Sequence, residues 1–482
     1  TIQENGEGMR RVTQSQAPPP DADGPPFGGF GGAIGSLQYS KDGRTIYFLE
    51  GNGIWAASVG APDAGAAAAA PRPAGDAAPA GAGGRRRVNF TVRVEVNNQE
   101  ERQQVFGEAW RIMKNRFYDS QMHSADWAAQ RAVYQPLLDW AGDRDELQNV
   151  VLQMIGELNA SHTGISGGGP PDRSAIQTRY PGFELEPDAS GYYKVSYIYK
   201  NGPADRDFVK ISVGNFILAV NGTPLKSGEN YWRLYNLAPG RKFEFLVNSK
   251  PAPDGAWTAT VTPINGGAQG TLLYEKWVEE RRQMVEKMSG GELGYLHIRQ
   301  MNEAALRKFE RDLADNHFKK ALIIDQRFNP GGGIDQELLE ILQQKQYQYT
   351  RGRDSVYITR PQRAFFGAVV VMQNERSTSD AEVFPDGFRT VKLGKVVGIN
   401  TYGAVIGTGA YRLLDGSMIR TPGTGLWNIT GQNLENYGVP PDVYIDNTPA
   451  DFLKGRDAQL EKAVEVLKDE LKKNPPKNIP GR

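Results

Sequence analysis

Residues 367–372 read Gly-Ala-Val-Val-Val-Met, and after Gln373 comes the polar stretch Asn374-Glu375-Arg376-Ser377-Thr378-Ser379-Asp380-Ala381-Glu382. A short β-branched run of this kind reads as a buried strand. Polar residues with capping character stop it, and the spacing of Ala381, Val383, Phe384 and Phe388 then turns helical. Such a chain must fold as a strand that runs directly into a helix, with Ser379 at the junction. A hydroxyl there faces the backbone N–H groups of a helix start, which favour negative charge. The amides that begin the helix can also steady an oxyanion, so the position suits a serine nucleophile. Ser, Thr and Asp are equally ordinary helix caps, and that reading stands beside the first.

The alternation continues on both sides. Helical spacing over about 273–288 leads into the strand Gly294-Tyr295-Leu296-His297-Ile298, and a helix over 303–315 into Ala321-Leu322-Ile323-Ile324-Asp325. A helix over 334–346, the strand 367–372, a helix over 380–392 and the strand Val396-Val397-Gly398 follow. Residues 267–450 are therefore expected to form an α/β domain with strand–helix crossovers. The tail, 451–482, reads as a charged amphipathic helix over 452–473 with a solvated Lys/Glu face.

Upstream the pattern changes. Residues 171–266 hold short strand patterns with Gly turns, around Tyr193–Tyr197, Phe216–Val220 and Phe243–Val247, and a short helix is expected at 229–236. Residues 88–170 begin with a strand-like alternation at 88–98. Helical spacing then runs to Leu158 through Val105, Ala109, Trp110, Ile112 and Met113. That segment ends at Asn159-Ala160-Ser161-His162-Thr163-Gly164. Residues 61–87 are mostly Ala, Pro and Gly, a flexible linker. Residues 1–60 comprise a Gly/Pro/Gln-rich start, expected to be loosely attached up to 38, and a two-strand ribbon at 39–60 with turn signals Asp42-Gly43 and Asn52-Gly53. The ribbon is similar to one piece of a β-propeller blade, and blades stack on neighbours.

Composition excludes several functions. The chain has 482 residues, enough for about three domains. Its formal net charge is zero, and no basic patch interleaves with aromatics, so nucleic acid is not an expected partner. No apolar stretch approaches the roughly 20 residues of a membrane span. There is no cysteine, which removes disulfides, thiolate metal sites and thiol nucleophiles. The four histidines, His123, His162, His297 and His317, include no i, i+4 pair, so a metal hydrolase is not expected and no cofactor is implied. The chain starts at Thr1 rather than Met, which implies that a segment ahead of it has been removed.

Asp325-Gln326-Arg327-Phe328-Asn329-Pro330-Gly331-Gly332-Gly333 ends one buried strand and opens a helix. Glycine lets backbone N–H groups approach a ligand closely. A phosphate loop would need Gly-Lys-Ser/Thr or a GxGxxG with a downstream acid, and neither is present. An acyl oxyanion hole suits the stretch better.

In order, the helical segment, the short-strand segment, D-x-R-x-N-x-G-G and the serine-bearing turn resemble the tail-specific (carboxyl-terminal processing) serine protease superfamily, over about residues 88–450. One branch uses a lysine inside a Phe-Gly-Lys-Gly type turn as base. Here Thr401-Tyr402-Gly403-Ala404-Val405 stands there, with Ala404 in the lysine position. The tricorn branch instead uses a histidine in a Ser-His pair closing the helical domain and a glutamate near the carboxyl end. This chain has Ser161-His162, and Leu434-Glu435-Asn436-Tyr437-Gly438-Val439-Pro440-Pro441-Asp442 resembles the glutamate-bearing segment. The resemblance implies an α+β multidomain chain with a small helical domain, a PDZ-like domain and a crotonase-like catalytic domain, preceded by a propeller remnant. It also implies Ser379 as nucleophile, His162 as base, Glu435 and Ser161 as the remaining tetrad members, and the amides of Gly332 and Asp380 as oxyanion donors. Peptides or unfolded polypeptides are the implied substrates, and a homo-oligomer the implied state.

Each position has a plainer reading. A lone His after a helix is commonly a capping or core residue, and His123, His297 and His317 are assigned there. Glu435 reads equally as a surface acid, Asp325–Arg327 as a structural pair bracing the glycine loop, and the short-strand segment as a spacer barrel. The tricorn branch places an acid in its primary specificity pocket, but Tyr349-Thr350-Arg351-Gly352 has none and Asp354 is merely close, so a preference for basic residues is not implied. A serine endopeptidase is the expected function. A catalytically inert PDZ-type peptide binder and an apolar-ligand binder on a crotonase-like fold are the alternatives. The absence of Cys tilts the expected location towards the periplasm.

Overall fold

The computed structural model describes residues 34–50, 53–59, 85–169, 176–236 and 240–475. The chain divides into two compact units, residues 1–98 and 99–482. In the first, β1 (Gly35–Tyr39), β2 (Thr45–Glu50), β3 (Gly53–Ser58) and β4 (Arg85–Arg87) form one antiparallel sheet in that order. Ile46, Phe48 and Ala57 make its small core. The ribbon expected at 39–60 is thus wider than two strands. Its β1 takes in residues 35–38, expected to be loose, and β4 falls in the expected linker. Residues 1–33, the 51–52 turn and 60–84 lie outside the described residues.

The strand expected at 88–98 does not form. Val88 N–H still reaches Ile54 O. Beyond it Phe90, Val92, Val94 and Val96 keep the period-2 alternation, yet all are exposed. Alternation supplies an apolar face, but a strand also needs a neighbouring strand to accept its hydrogen bonds. Among the described residues none takes that role.

The second unit opens with α1 (Asn98–Arg116), α2 (Trp127–Tyr134) and α3 (Arg144–Gly156). Asp126 and Asp143 cap the latter two. Val105, Phe106, Ala109 and Met113 of α1 pack against Val151, Met154 and Ile155 of α3. A short strand, β5 (Gly164–Gly167), leaves this cluster. Next come β6 (Phe183–Pro187), β7 (Tyr193–Ile198), β8 (Phe216–Val220), β9 (Thr223–Pro224), β10 (Phe243–Asn248) and β11 (Trp257–Val261). They form an antiparallel sheet of order β11-β10-β8-β7-β6, with β9 paired to β8. The helix expected at 229–236 is only a 3-10 turn, Tyr231–Tyr235. So few residues cannot nucleate an α-helix by themselves, and burial of Tyr235 holds the turn instead.

The rest alternates as expected: α4 (Gly266–Ser289), β12 (Leu293–His297), α5 (Glu303–Asp315), β13 (Ala321–Asp325), α6 (Asp335–Leu342), the hairpin β14 (Gln348–Thr350) and β15 (Ile358–Arg360), β16 (Ala368–Gln373), α7 (Asp380–Thr390) and β17 (Gly394–Gly398). Then follow β18 (Ile406–Arg412), β19 (Ser417–Gly425), β20 (Val443–Tyr444), α8 (Pro449–Leu453) and α9 (Ala458–Lys473). Helix α6 stops at Leu342, short of 346, because the residues that follow, Gln343-Gln344-Lys345-Gln346, bring nothing apolar to bury.

Strands β12-β13-β16-β17-β20 form a parallel sheet. Its side chains alternate between two cores. Leu322, Ile324, Val369 and Val371 face α5, α6 and α7, packing on Phe309, Leu338, Phe384 and Phe388. Ala321, Ile323, Val370 and Met372 face α4 and α9. A parallel sheet covered on both faces needs apolar residues at every position, which is why these strands read as continuous apolar runs.

The tail helix begins at Ala458 rather than 452, and it keeps the solvated Lys/Glu face expected of it. The charged residues cover only the outer side of α9. Leu460, Ala463, Val464 and Leu467, spaced i, i+3, i+4, i+7, are buried against Val370, Met372 and Val397. The helix start is tied in by charge. Arg327, 1% exposed, donates from Nη2 to Asp325 Oδ2 at 2.7 Å and from Nη1 to Asp457 Oδ1 at 2.8 Å. Asp457 also caps α9 through Leu460 N–H. The structural-pair reading of Asp325 and Arg327 therefore holds, with a third member that the sequence did not reveal. Truncating one member of a buried ion network strands the remaining charge. Asp457→Ala should cost roughly 3–5 kcal/mol in urea denaturation, the cap adding to the lost ion pair; a loss below about 1 kcal/mol would show water replacing the carboxylate.

Candidate active site

Two loops leave the carboxyl ends of the neighbouring strands β13 and β16, where open α/β sheets place their ligand crevices. The first is the glycine loop. Asn329 holds it: Oδ1 accepts Gly331 N–H at 2.9 Å, and Nδ2 donates to Ile298 O at 2.9 Å. Its carbonyl accepts Thr378 N–H from the second loop at 3.0 Å. Gly331 has φ +89°, and a Cβ there would lie 2.6 Å from Ser379 Cβ and 3.0 Å from Asp380 N. Glycine is thus required for the two loops to touch. Gly332, at φ +151°, is exposed, and a Cβ on it would collide with Met301 O. Among the described residues no acceptor takes the Gly332 N–H or the Asp380 N–H. Two free donors therefore stand beside Ser379.

Ser379 is the residue before α7 and has φ +58°, ψ −124°, a strained conformation for a residue with a Cβ. Its N–H is shared between Ala404 O at 2.9 Å and Glu382 Oε1 at 3.1 Å. Glu382 is fully buried. It also accepts from Ala404 N–H at 2.8 Å, Gly403 N–H at 2.6 Å and the Thr401 hydroxyl at 2.5 Å. Burial pushes its carboxyl upward, against the lowering pull of those four donors. Sequence reasoning gave Glu382 and Asn329 no role. A signal for Glu382 was present in the spacing Ser379-x-x-Glu382, the pattern of a capping box.

The imidazole arrives from the other side. His162 follows the helical cluster, also at positive φ, +57°, and precedes β5. Strand β5 pairs antiparallel with β19, Gly164 opposite Arg420, so the segment is locked as the third strand of β18-β19-β5. Glu435 is 3% exposed, not a surface acid. Its Oε1 accepts Ser161 N–H at 2.6 Å, and its Oε2 accepts Ser161 Oγ at 3.0 Å and Val405 N–H at 2.7 Å. Ser161 Oγ lies 2.8 Å from His162 Nδ1. The hydroxyl has one proton and gives it to Glu435, so Nδ1 must be the donor in the second contact. The imidazole is then the Nδ1–H tautomer, with the lone pair on Nε2. Burial, helped by the nearby Arg420 charge, lowers the His162 pKa from 6.5 to about 4. The ring is therefore neutral at ordinary pH.

The structure thus joins Ser161, His162 and Glu435 directly. Ser379 connects to them through the 401–405 segment, since Ala404 O takes its N–H while the next residue, Val405, binds Glu435. No Ser379–His162 hydrogen bond forms among the described residues. Ala404, in the position of the other branch's lysine, is buried, and its carbonyl supports Ser379. Asp354 sits in the exposed turn between β14 and β15. His297 is a core residue bonded to Tyr274 and Arg327 O, and His123 to Tyr118 and Leu158 O, as expected of both. Among the described residues no cluster of His, Asp and Glu could hold a metal, and no helix is long and apolar enough to cross a membrane.

Residues 292–445 match peptidase family S41, and residues 98–156 match the tricorn protease C1 domain. The chain is 32% identical over 408 residues to a putative tricorn protease homolog 2 of Streptomyces coelicolor, covering 80% of this chain and 34% of that protein. It is 28% identical over 381 residues to the tricorn protease of Thermoplasma acidophilum, covering 77% of this chain and 35% of that one. The crystal structure of the tricorn protease superposes with a TM-score of 0.78 at 26% identity, over 92% of this chain and 42% of that chain. The chain spans about a third of the length of these curated relatives. With both family models in chain order and the fold of the tricorn protease shared over most of its length, the chain carries a peptidase family S41 domain and a tricorn protease C1 domain, and is a homologue of the tricorn proteases over about a third of their length.

Proposed function

We propose that the chain is a serine endopeptidase that hydrolyses peptides or unfolded polypeptides through an acyl-enzyme. The observation that carries this reading is the run Glu435–Ser161–His162, which leaves a neutral imidazole with its lone pair on Nε2. A serine hydroxyl is a weak nucleophile until a base takes its proton. In this reading Ser379 Oγ attacks the scissile carbonyl while His162 Nε2 removes its proton. The imidazolium then protonates the leaving amine, and water repeats the cycle on the ester. Ser161 and Glu435 hold the ring's tautomer and stabilise its charged form, as the orienting acid does in other triads. The amides of Gly332 and Asp380 receive the oxyanion. A base whose pKa is about 4 stays available at mildly acidic pH.

The finer parts of the reading go with the family. The β6–β11 sheet is a PDZ-like module that presents an extended substrate by strand addition. The parallel-sheet domain is crotonase-like. The β1–β4 sheet is the remnant of a propeller, and the working particle is a homo-oligomer. No reliance on basic residues at the cleavage site is proposed, since β14 and its turn supply only Asp354.

A fluorophosphonate probe tests the chemistry. It should label Ser379 and should not label Ser379→Ala. His162→Ala should lower the labelling rate by roughly 10³-fold or more, and Glu435→Gln by a smaller factor, about 10–10². A folded wild-type chain that takes no label would instead favour an inert peptide binder or an apolar-ligand binder.

The pH profile gives a second test. The His162 pKa lies below its usual value, so the labelling rate should rise with pH through about 4 rather than 6.5. Arg420→Gln removes a charge that lowers this pKa, so its rising limb should move to higher pH. A limb near 6.5 in wild type would count against the buried-imidazole account.

A further inference from the structure

Helix α6 cannot cap itself. Its N-cap residue is Ile334, which has no side-chain acceptor. The acceptor comes from the neighbouring helix: Asp380 Oδ2, at the start of α7, takes Ile334 N–H at 2.8 Å and Asp335 N–H at 3.2 Å. Asp380 is 6% exposed. The residue whose own N–H is a proposed oxyanion donor therefore also grips the chain two residues beyond Gly332, the other donor.

We propose that the Asp380 carboxyl is a positioning group that fixes the spacing of the two oxyanion amides, and that it does so in its neutral form, sharing a proton with Asp335. This deepens the reading of Ser379 as nucleophile and rests on it. Three observations support it. The carboxyl bridges the start of α6 and the start of α7, so it sets the gap between the loops. Asp335 reaches the same oxygen through its own N–H at 3.2 Å, so its side chain starts beside the Asp380 carboxyl, and two carboxyls can bond only when one carries a proton. Burial, then Asp335, pushes the Asp380 pKa up from 3.8 to about 7, against the lowering pull of the Ile334 and Asp335 amides.

Asp335 is the charged group that acts on Asp380. Of the other acids at these helix starts, Glu337 is exposed on α6, and Glu382 on α7 is taken up by Thr401, Gly403 and Ala404. Ionisation of Asp380 would place a negative charge within one side-chain length of the developing oxyanion, and like charge there opposes it. It would also set two carboxylates against each other across the start of α6.

The site should then work in a window. His162 loses its proton through about pH 4, and the shared proton leaves through about pH 7. Fluorophosphonate labelling of the full chain from pH 3 to 9, with circular dichroism at each pH to verify folding, tests this. The wild-type rate at pH 6 should exceed that at pH 8.5 by roughly tenfold or more. Asp380→Asn keeps the acceptor oxygen and stays neutral, so its ratio should fall to within about twofold of one while the rising limb remains. Asp335→Asn removes the partner that raises the Asp380 pKa, so the falling limb should move to lower pH.

A purely structural role would lower the rate at all pH values alike. The proposal is overturned if folded Asp380→Asn keeps the wild-type ratio. It is overturned also, should that variant not fold, if Asp335→Asn leaves the limb in place. A wild-type chain that labels with no falling limb sinks this inference alone. A chain that never labels sinks the nucleophile reading and this inference with it.

Discussion

Two buried glutamates hold one short segment, and the candidate site depends on that clamp. Glu382, from the helix that begins beside Ser379, takes the Thr401 hydroxyl and the amides of Gly403 and Ala404. Glu435 takes the amide of Val405 and both donors of Ser161. A buried carboxylate without donors is very costly. If the segment moved, both carboxylates would lose main-chain amides while still buried. The cost of leaving them bare therefore fixes Ser379 on one side of the segment and the Ser161–His162 pair on the other. The donors of the clamp are backbone amides and two short hydroxyl side chains rather than long side chains, which leaves little freedom to lose.

This clamp works because what lies beneath it is rigid. The parallel sheet buries its side chains on both faces and ends at two loops that touch at Gly331. Ser379 and His162 both sit at positive φ, a conformation that costs of order 1–3 kcal/mol each and persists only where the surroundings over-determine it. At Ser379 the surroundings are Ala404 O, Glu382 and the glycine loop. At His162 they are Glu435 behind and β5 ahead, the latter already committed to pairing with β19. The strain is concentrated where side chains must be aimed, and packing elsewhere supports it.

The arrangement also divides the labour of two acids that the sequence treats alike. Glu382 is bonded all round and supports backbone. Asp380, two residues earlier on the same helix, faces the glycine loop and meets a second carboxyl. Their opposite surroundings follow from helix geometry, since residues two apart point in different directions.

The sequence made the parallel-sheet domain legible because a strand buried on both faces leaves an unbroken apolar run, as in Ala321–Asp325, whose expected and observed limits agree. It also showed the glycine loop, the strand-to-helix turn at Ser379 and the Ser-His pair, since each is a local pattern. It misled where a local pattern needs a distant partner. Residues 88–98 have the alternation of a strand but no neighbour to pair with. The tail helix showed its amphipathic pattern, but what its apolar stripe covers depended on the sheet beneath it. Glu435 stood out only through the family resemblance, and its plainer reading as a surface acid lasted until the fold buried it. Which way His162 holds its proton, and which backbone amides Glu382 receives, were decided by tertiary structure alone. Residue types and spacing determine what each segment can do by itself. Hydrogen bonds between segments distant in sequence exist only once the chain has closed on itself, and here those bonds make the site.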